Sequence, residues 1–379
     1  MMNLTSKYRT LYSKAVHAAM LLRDKRVKQH VVVFESDDWG SVRMPSLESF
    51  HRMQSKGIRM VSPASYDRVD TLASNDDLEM LMDVLASVSD SKGNPAKITL
   101  NCCVANPDFD KIRASDFKEY HYELFTETLK RYPHHNRSFE LWKEGIAHKL
   151  FQPQFHGREH LNPQKWLRYL QAGEKDTREA FNEGCYSLCV SDTNGLNSYL
   201  EAFGIESSND CAFVIQSIRE GLELFEQLFG FHSDSIIAPC YIWDDYIEEE
   251  SAACGVKLVH GGYIQRHSPW QRSKGNRITG HFSGEINRLG QCYAVRNCSF
   301  EPSQINAYNA DYCMDGINKA FERHVPAVVS CHRLNFIGEL NSSNRDNNLK
   351  DFQKLLRMIV EKYPDVEFLS SDELIKIMQ

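Results

Sequence analysis

The chain reads as an α/β protein built on a mostly parallel sheet. Short apolar runs of strand length alternate with longer stretches of helical periodicity, which is the pattern of strand–helix–strand units. Residues able to do chemistry recur directly after the apolar runs, where open sheets and barrels of this class place their active sites. The length of 379 residues and an apolar content of 42% are enough for a sizeable core.

Taken in order, strands are expected at 31–34, 97–104, 151–155, 186–190, 235–238, 257–259, 291–295, 327–330 and 366–369. Each is short, apolar and bounded by turn-forming or polar residues. Helices are expected at 77–88, 139–149, 213–229, 244–254, 305–323 and 349–363, where apolar residues recur at helical spacing. The stretch 268–280, SPWQRSKGNRITG, is polar and glycine-bearing and reads as an exposed loop. The expected organisation is a single catalytic domain over 1–379 with a helical extension at 1–29.

Net charge and cysteine usage narrow the class. A net charge of −7 and a pI of about 6.1 speak against nucleic acid as the partner. The eleven cysteines include no Cys-x-x-Cys pair and read as reduced, mostly buried thiols. The run AVHAAMLL at 15–22 is followed by RDKR and reads as an amphipathic helix instead of a leader peptide. No stretch reaches the roughly 20 apolar residues of a membrane span. The expectation is a cytoplasmic protein.

The candidate chemistry begins with VVVFESDDWG at 31–40, where Asp37 and Asp38 follow an apolar run. Two adjacent carboxylates at a buried strand end are costly without a compensating cation, and a divalent metal would hold one ionised and let the other act as a base. FHGREH supplies His156 and His160, whose spacing lets two imidazoles converge with a carboxylate on one metal. His332 ends the apolar run PAVVSC, and an imidazole suits a general acid that protonates a leaving group. In IIAPCYIWDD, the strand exit at Pro239–Tyr241 could aim a backbone N–H at a developing oxyanion.

These motifs, in this order, resemble the polysaccharide deacetylases of carbohydrate esterase family 4. SDDWG resembles the family's Thr-Phe-Asp-Asp-Gly with Trp39 inserted; HGREH resembles His-Ser/Thr-x-x-His with Gly157 in place of the hydroxyl residue; SCH keeps the histidine of Leu-x-His. The closing YPDVEFLSSDEL also fits. The resemblance spans roughly residues 30–375 and implies a distorted or incomplete (β/α) barrel. It implies that Asp38, His156 and His160 bind one divalent metal, most readily Zn2+, with Mn2+, Co2+ and Fe2+ as alternatives. It further implies Asp37 as general base, His332 as general acid, and the Tyr241 backbone N–H as an oxyanion donor. The family's arginine has no counterpart at Ala238, and Arg296 or Arg333 is the candidate replacement.

The implied activity is removal of acetyl groups from N- or O-acetylated sugars or polysaccharide precursors. Two alternatives stand beside it. One is a glycosidase on the same barrel, using a pair among Asp37, Asp244 and Glu301. The other is a non-catalytic carbohydrate-binding protein, with Trp39, Tyr241, Trp243 and Tyr263 stacking on sugar rings.

Overall fold

The computed structural model describes residues 4–190, 197–273, 275 and 278–379. Among these, the strands are β1 (Val31–Trp39), β2 (Ile98–Cys102), β3 (Ala105–Pro107), β4 (Tyr122–Leu124), β5 (Phe151–Phe155), β6 (Ser235–Ile237), β7 (Leu258–Gly261), β8 (Cys292–Val295), β9 (Cys298–Ser299), β10 (Ala327–His332) and β11 (Glu367–Leu369). β3 and β4 form a small antiparallel pair. The others form one sheet in the order β8-β7-β6-β5-β2-β1-β10-β9, with β11 also on β1. All recorded pairings within this sheet are parallel.

The two ends of that order are neighbours in sequence. β8 pairs with β7, β9 pairs with β10, and residues 296 and 297 join them. At the join, the Arg296 N–H donates to Gly261 O (3.1 Å) and the Asn297 N–H to Val328 O (3.1 Å). One short run of chain thus carries the sheet round on itself, giving a distorted (β/α) barrel.

All nine residues of β1 are buried, as a central parallel strand covered on both faces requires. Its side chains alternate. Val32 and Phe34 pack outward, Phe34 edge-on against Phe352 of the Ser342–Lys362 helix (5.1 Å). Val31 and Val33 pack with Leu258, Ala294 and Val328 and with Leu374, Ile375 and Met378 of the closing helix Ser371–Met378. That helix plugs the lower end of the barrel with apolar contacts. Glu35 and Asp37 continue the same inward alternation, so the interior turns polar towards its upper end.

The pairing of β1 with β2 slips between Ser36 and Trp39, and Asp38 sits at φ 72° inside the slip. Such a bulge re-aims the side chains around it. Gly40 follows at φ 80°, where an added Cβ would lie 2.1 Å from Cys103 O.

Most expected elements are present with shifted ends. The first strand is longer than expected and includes both aspartates, and the helix expected at 305–323 is Ala310–Glu322. The expected strand at 186–190 is a correction. Tyr186 and Leu188 are buried in a satellite core around Trp166, and Leu188 makes a single antiparallel bridge to Met60. The run is apolar because it seals that core, not because it joins the sheet. The expected loop at 268–280 contains a short helix, Pro269–Ser273, and residues 274, 276 and 277 lie outside the described residues. The extension folds as the helix Leu4–Arg23, with His17 stacked on Tyr263 (4.7 Å). No helix among the described residues is long and apolar enough to cross a membrane.

Replacing Gly40 by alanine is expected to destabilise the protein by about 3 kcal/mol or more, because a left-handed backbone and a blocked Cβ position act together. Denaturant unfolding of Gly40→Ala beside wild type measures this, and an unchanged midpoint contradicts the packing described.

Candidate metal centre and active site

Asp38, His156 and His160 meet at the upper end of the barrel, and one donor atom from each lies within 4.8 Å of the others. His156 follows β5 directly, with its N–H on Cys102 O (2.9 Å). The chain then runs through an irregular turn, pinned by the Ala105 N–H on Arg158 O (2.7 Å), and returns His160 to the same spot. The Nε2 atoms of His160 and His156 lie 3.1 and 3.4 Å from the same oxygen, Asp38 Oδ1.

The donor set suits a divalent cation. His156 Nδ1 lies 2.8 Å from Ile237 O; a carbonyl can only accept, so Nδ1 carries the proton. In the neutral form Nε2 then offers its lone pair on the side of Asp38 Oδ1, where a cation would be shared by imidazole and carboxylate. Burial holds the His160 imidazole below its ordinary pKa, although Asp38 opposes this; the neutral form is the one that ligates metals. Burial pushes the Asp38 carboxyl up, but His160, His156 and Arg43 together carry it well below the usual carboxylate range.

Asp37 stands beside this set, opposite His332 in the β1–β10 register. Its Oδ1 accepts from Arg296 Nη2 (2.8 Å) and Asn101 Nδ2 (2.9 Å), and its Oδ2 accepts from Arg296 Nη1 (2.5 Å). Burial raises the Asp37 pKa, but the Arg296 charge and hydrogen bonds, with His156 and His332, leave it below its ordinary value. Asn101 Nδ2 also reaches Glu35 Oε2 (2.9 Å), so two buried carboxylates share one amide and one guanidinium.

His332 binds Glu301 through Nδ1 and turns Nε2 towards Asp37 Oδ2 (3.9 Å). Glu301 is steadied by Asn335 Nδ2 (2.8 Å). Burial alone would lower the His332 pKa, but Glu301, aided by Asp38 and Asp37, pushes it up to about 9. The imidazole is therefore cationic at neutral pH. A cavity of about 270 Å³ opens onto Asp37, Asp38, His156, His160, Tyr241 and His332.

The structure gathers eight of the residues singled out from the sequence here: the six just named, Arg296 and Glu301. The Tyr241 N–H and other residues singled out from the sequence are placed differently. The Tyr241 N–H donates to Ala238 O (2.9 Å) within the turn Pro239–Tyr241, so it does not face the cavity as an oxyanion donor. The Tyr241 hydroxyl instead lies 3.2 Å from both Arg296 Nη1 and Ser330 Oγ. Trp39 is turned outward by the bulge and packs edge-on against Trp142 (5.7 Å). Arg333 is buried on Asp70 Oδ1 (2.8 Å), away from Asp37. Trp243 and Tyr263 pack on His281 and His17, outside the cavity lining. Asp244 is held by His267 Nδ1 (2.9 Å) and by Ser268, also outside it.

Sequence reasoning missed Glu35, Asn101, Arg43, Tyr66 and Asp70. Glu35 carried a signal, since a residue two before Asp37 on a strand shares its face. Arg43 lies only five residues beyond Asp38 but carried no signal of its own, and Asn101, Tyr66 and Asp70 come from more distant segments and carried none.

No protein-family model matches the sequence, and no curated protein matches it significantly. Solved structures do resemble it. A candidate glycoside hydrolase/deacetylase from Parabacteroides distasonis aligns over 93% of this chain and 72% of its own, with TM-score 0.47 and 8% identity. A candidate polysaccharide deacetylase from Mycobacterium smegmatis aligns over 92% of this chain and 90% of its own, with TM-score 0.44 and 11% identity. A 4-alpha-glucanotransferase from Thermococcus litoralis aligns over 92% of this chain with TM-score 0.45 and 8% identity, and this chain spans 40% of its length. These neighbours thus carry the names of a candidate deacetylase, a candidate glycoside hydrolase/deacetylase and a glucanotransferase, and at these scores they assign no activity here.

In a proton NMR titration of the metal-free protein, His332 should titrate near 9. In Glu301→Gln it should fall towards the ordinary imidazole value of about 6.5. The sign for stability follows: the pair stabilises the fold fully below about 6.5, and that contribution fades as pH rises through about 9. An unshifted His332 in Glu301→Gln contradicts the assignment.

Proposed function

We propose that the protein is a metal-dependent hydrolase of the polysaccharide deacetylase type, removing acetyl groups from N- or O-acetylated sugars or polysaccharide precursors. The observation that carries this reading is the convergence of an Asp-His-His donor set with an ion-paired aspartate and a cationic histidine around one cavity.

Asp38, His156 and His160 would hold the cation through one carboxylate oxygen and two imidazole nitrogens. This mixed O/N set suits zinc best and also accommodates Mn2+, Co2+ or Fe2+. When bound, the cation supplies a Lewis acid for the acyl oxygen and a water nucleophile at neutral pH. Arg296 keeps Asp37 deprotonated and orients it, so Asp37 can accept a proton from the attacking water. His332, charged through Glu301, carries the proton that the leaving amine or alcohol needs. The two groups stand 3.9 Å apart on adjacent strands, so both can serve one reacting carbon.

The carboxylates of the glycosidase alternative are otherwise engaged. Asp37 is bound by Arg296, Glu301 by His332 and Asp244 by His267. A retaining or inverting pair needs one carboxyl kept protonated as the acid, and Asp37 is pushed the other way. This arrangement supports metal-assisted acyl hydrolysis in preference.

Elemental analysis of purified protein should find about one zinc-type metal per chain in wild type and strong loss in His160→Ala. Asp37→Asn should retain the metal and lose at least about 100-fold in acetate release from the best acetylated sugar. No metal in wild type even after zinc is supplied, or full activity in Asp37→Asn, overturns the proposal.

A further inference from the structure

The second oxygen of Asp38 has its own partner. Oδ1 faces the two imidazoles, while Oδ2 accepts from Arg43 Nη2 at 3.2 Å. Arg43 is itself fixed from behind. Its Nε lies 3.2 Å from Asp70 Oδ2, and its guanidinium lies over the Tyr66 ring (4.8 Å). The backbone around it is pinned on both sides, by the Val42 N–H on Asn106 Oδ1 (2.8 Å) and the Met44 N–H on Asp70 O (3.2 Å). Asp70 is fully buried and holds a second arginine, Arg333, at 2.8 Å through Oδ1. Arg333 follows His332 directly. Two aspartates and two arginines thus form a chain with balanced charge, running from the loop after β1 to the loop after β10.

A carboxylate can bind a metal through one oxygen or through both, and the second mode fills a coordination position. A catalytic site must keep positions open for water and substrate. We infer that Arg43 is a positioning residue that restricts Asp38 to metal ligation through Oδ1 alone, with Asp70 anchoring Arg43 for that task. The inference rests on the metal reading given above. A guanidinium suits this role because its planar fork reaches two carboxylates at once while one oxygen of Asp38 stays free.

The test is the crystal structure of the zinc-loaded protein, wild type beside Arg43→Met and Arg43→Lys, with folding checked by circular dichroism. Wild type should show one Asp38 oxygen on zinc. Arg43→Met should show both, and Arg43→Lys, which keeps a charged donor, should return to one. A merely structural role for Arg43 would leave the carboxylate mode unchanged. One oxygen on zinc in Arg43→Met, or both in wild type, overturns the inference while leaving the metal reading standing. If Arg43→Met does not fold, Arg43→Ala takes its place beside Arg43→Lys, with the same expected and overturning results. A wild type that takes up no zinc overturns the metal reading and this inference together.

Discussion

The ion pair between Asp37 and Arg296 is the contact on which the interior depends. Both groups are buried, and each would be costly there alone. Removing one partner of such a pair leaves the other uncompensated, a loss of about 3–5 kcal/mol. Arg296 is one of the two residues that link β8 to β9, the run that carries the sheet round to β10. Closing the barrel and neutralising Asp37 are therefore one event. Asn101, Glu35, Tyr241 and Ser330 then arrange themselves around the guanidinium.

The same logic recurs at other buried carboxylates of the upper end. Asp38 is matched by Arg43, Asp70 by Arg43 and Arg333, and Glu301 by His332. The lower end needs no such matching, because Val31 and Val33 meet the apolar face of the closing helix. The barrel thus has an apolar base that supplies packing energy and a polar upper layer whose charges are paired. Paired charges hold fixed geometry, so these groups keep their places without a ligand. The pairing also sets protonation. Arg296 keeps Asp37 anionic, and Glu301 keeps His332 cationic, so a carboxylate and an imidazolium face one cavity at the same pH.

Local backbone strain completes the arrangement. Asp38 sits in a left-handed conformation within a strand slip, and Cys240 and Tyr241 do so in the turn after β6. At Asp38 the slip directs two sequence-adjacent carboxylates to one cavity, which simple alternation along a strand would forbid. It also turns Trp39 out to Trp142. At Tyr241 the turn closes the backbone on Ala238 and leaves the hydroxyl, not the N–H, near Asp37's partner.

Short-range pattern determined a large part of this protein. Most apolar runs are strands, because a few residues suffice to show a buried strand, and Asp37, Asp38, His156, Tyr241 and His332 were legible as strand-end residues because each lies at or shortly after such a run. The spacing of His156 and His160 was legible for the same local reason. Tertiary structure alone decided which charge meets which. Arg296 reaches Asp37 across 259 residues, and Arg333 reaches Asp70 across 263. It alone decided that 186–190 seals a satellite core, that Trp39 faces outward and that Arg43 stands behind Asp38. Those outcomes follow from closure of the sheet and from a one-residue slip in β1. A slip changes the face of every residue beyond it, and no local pattern in the chain records where it falls.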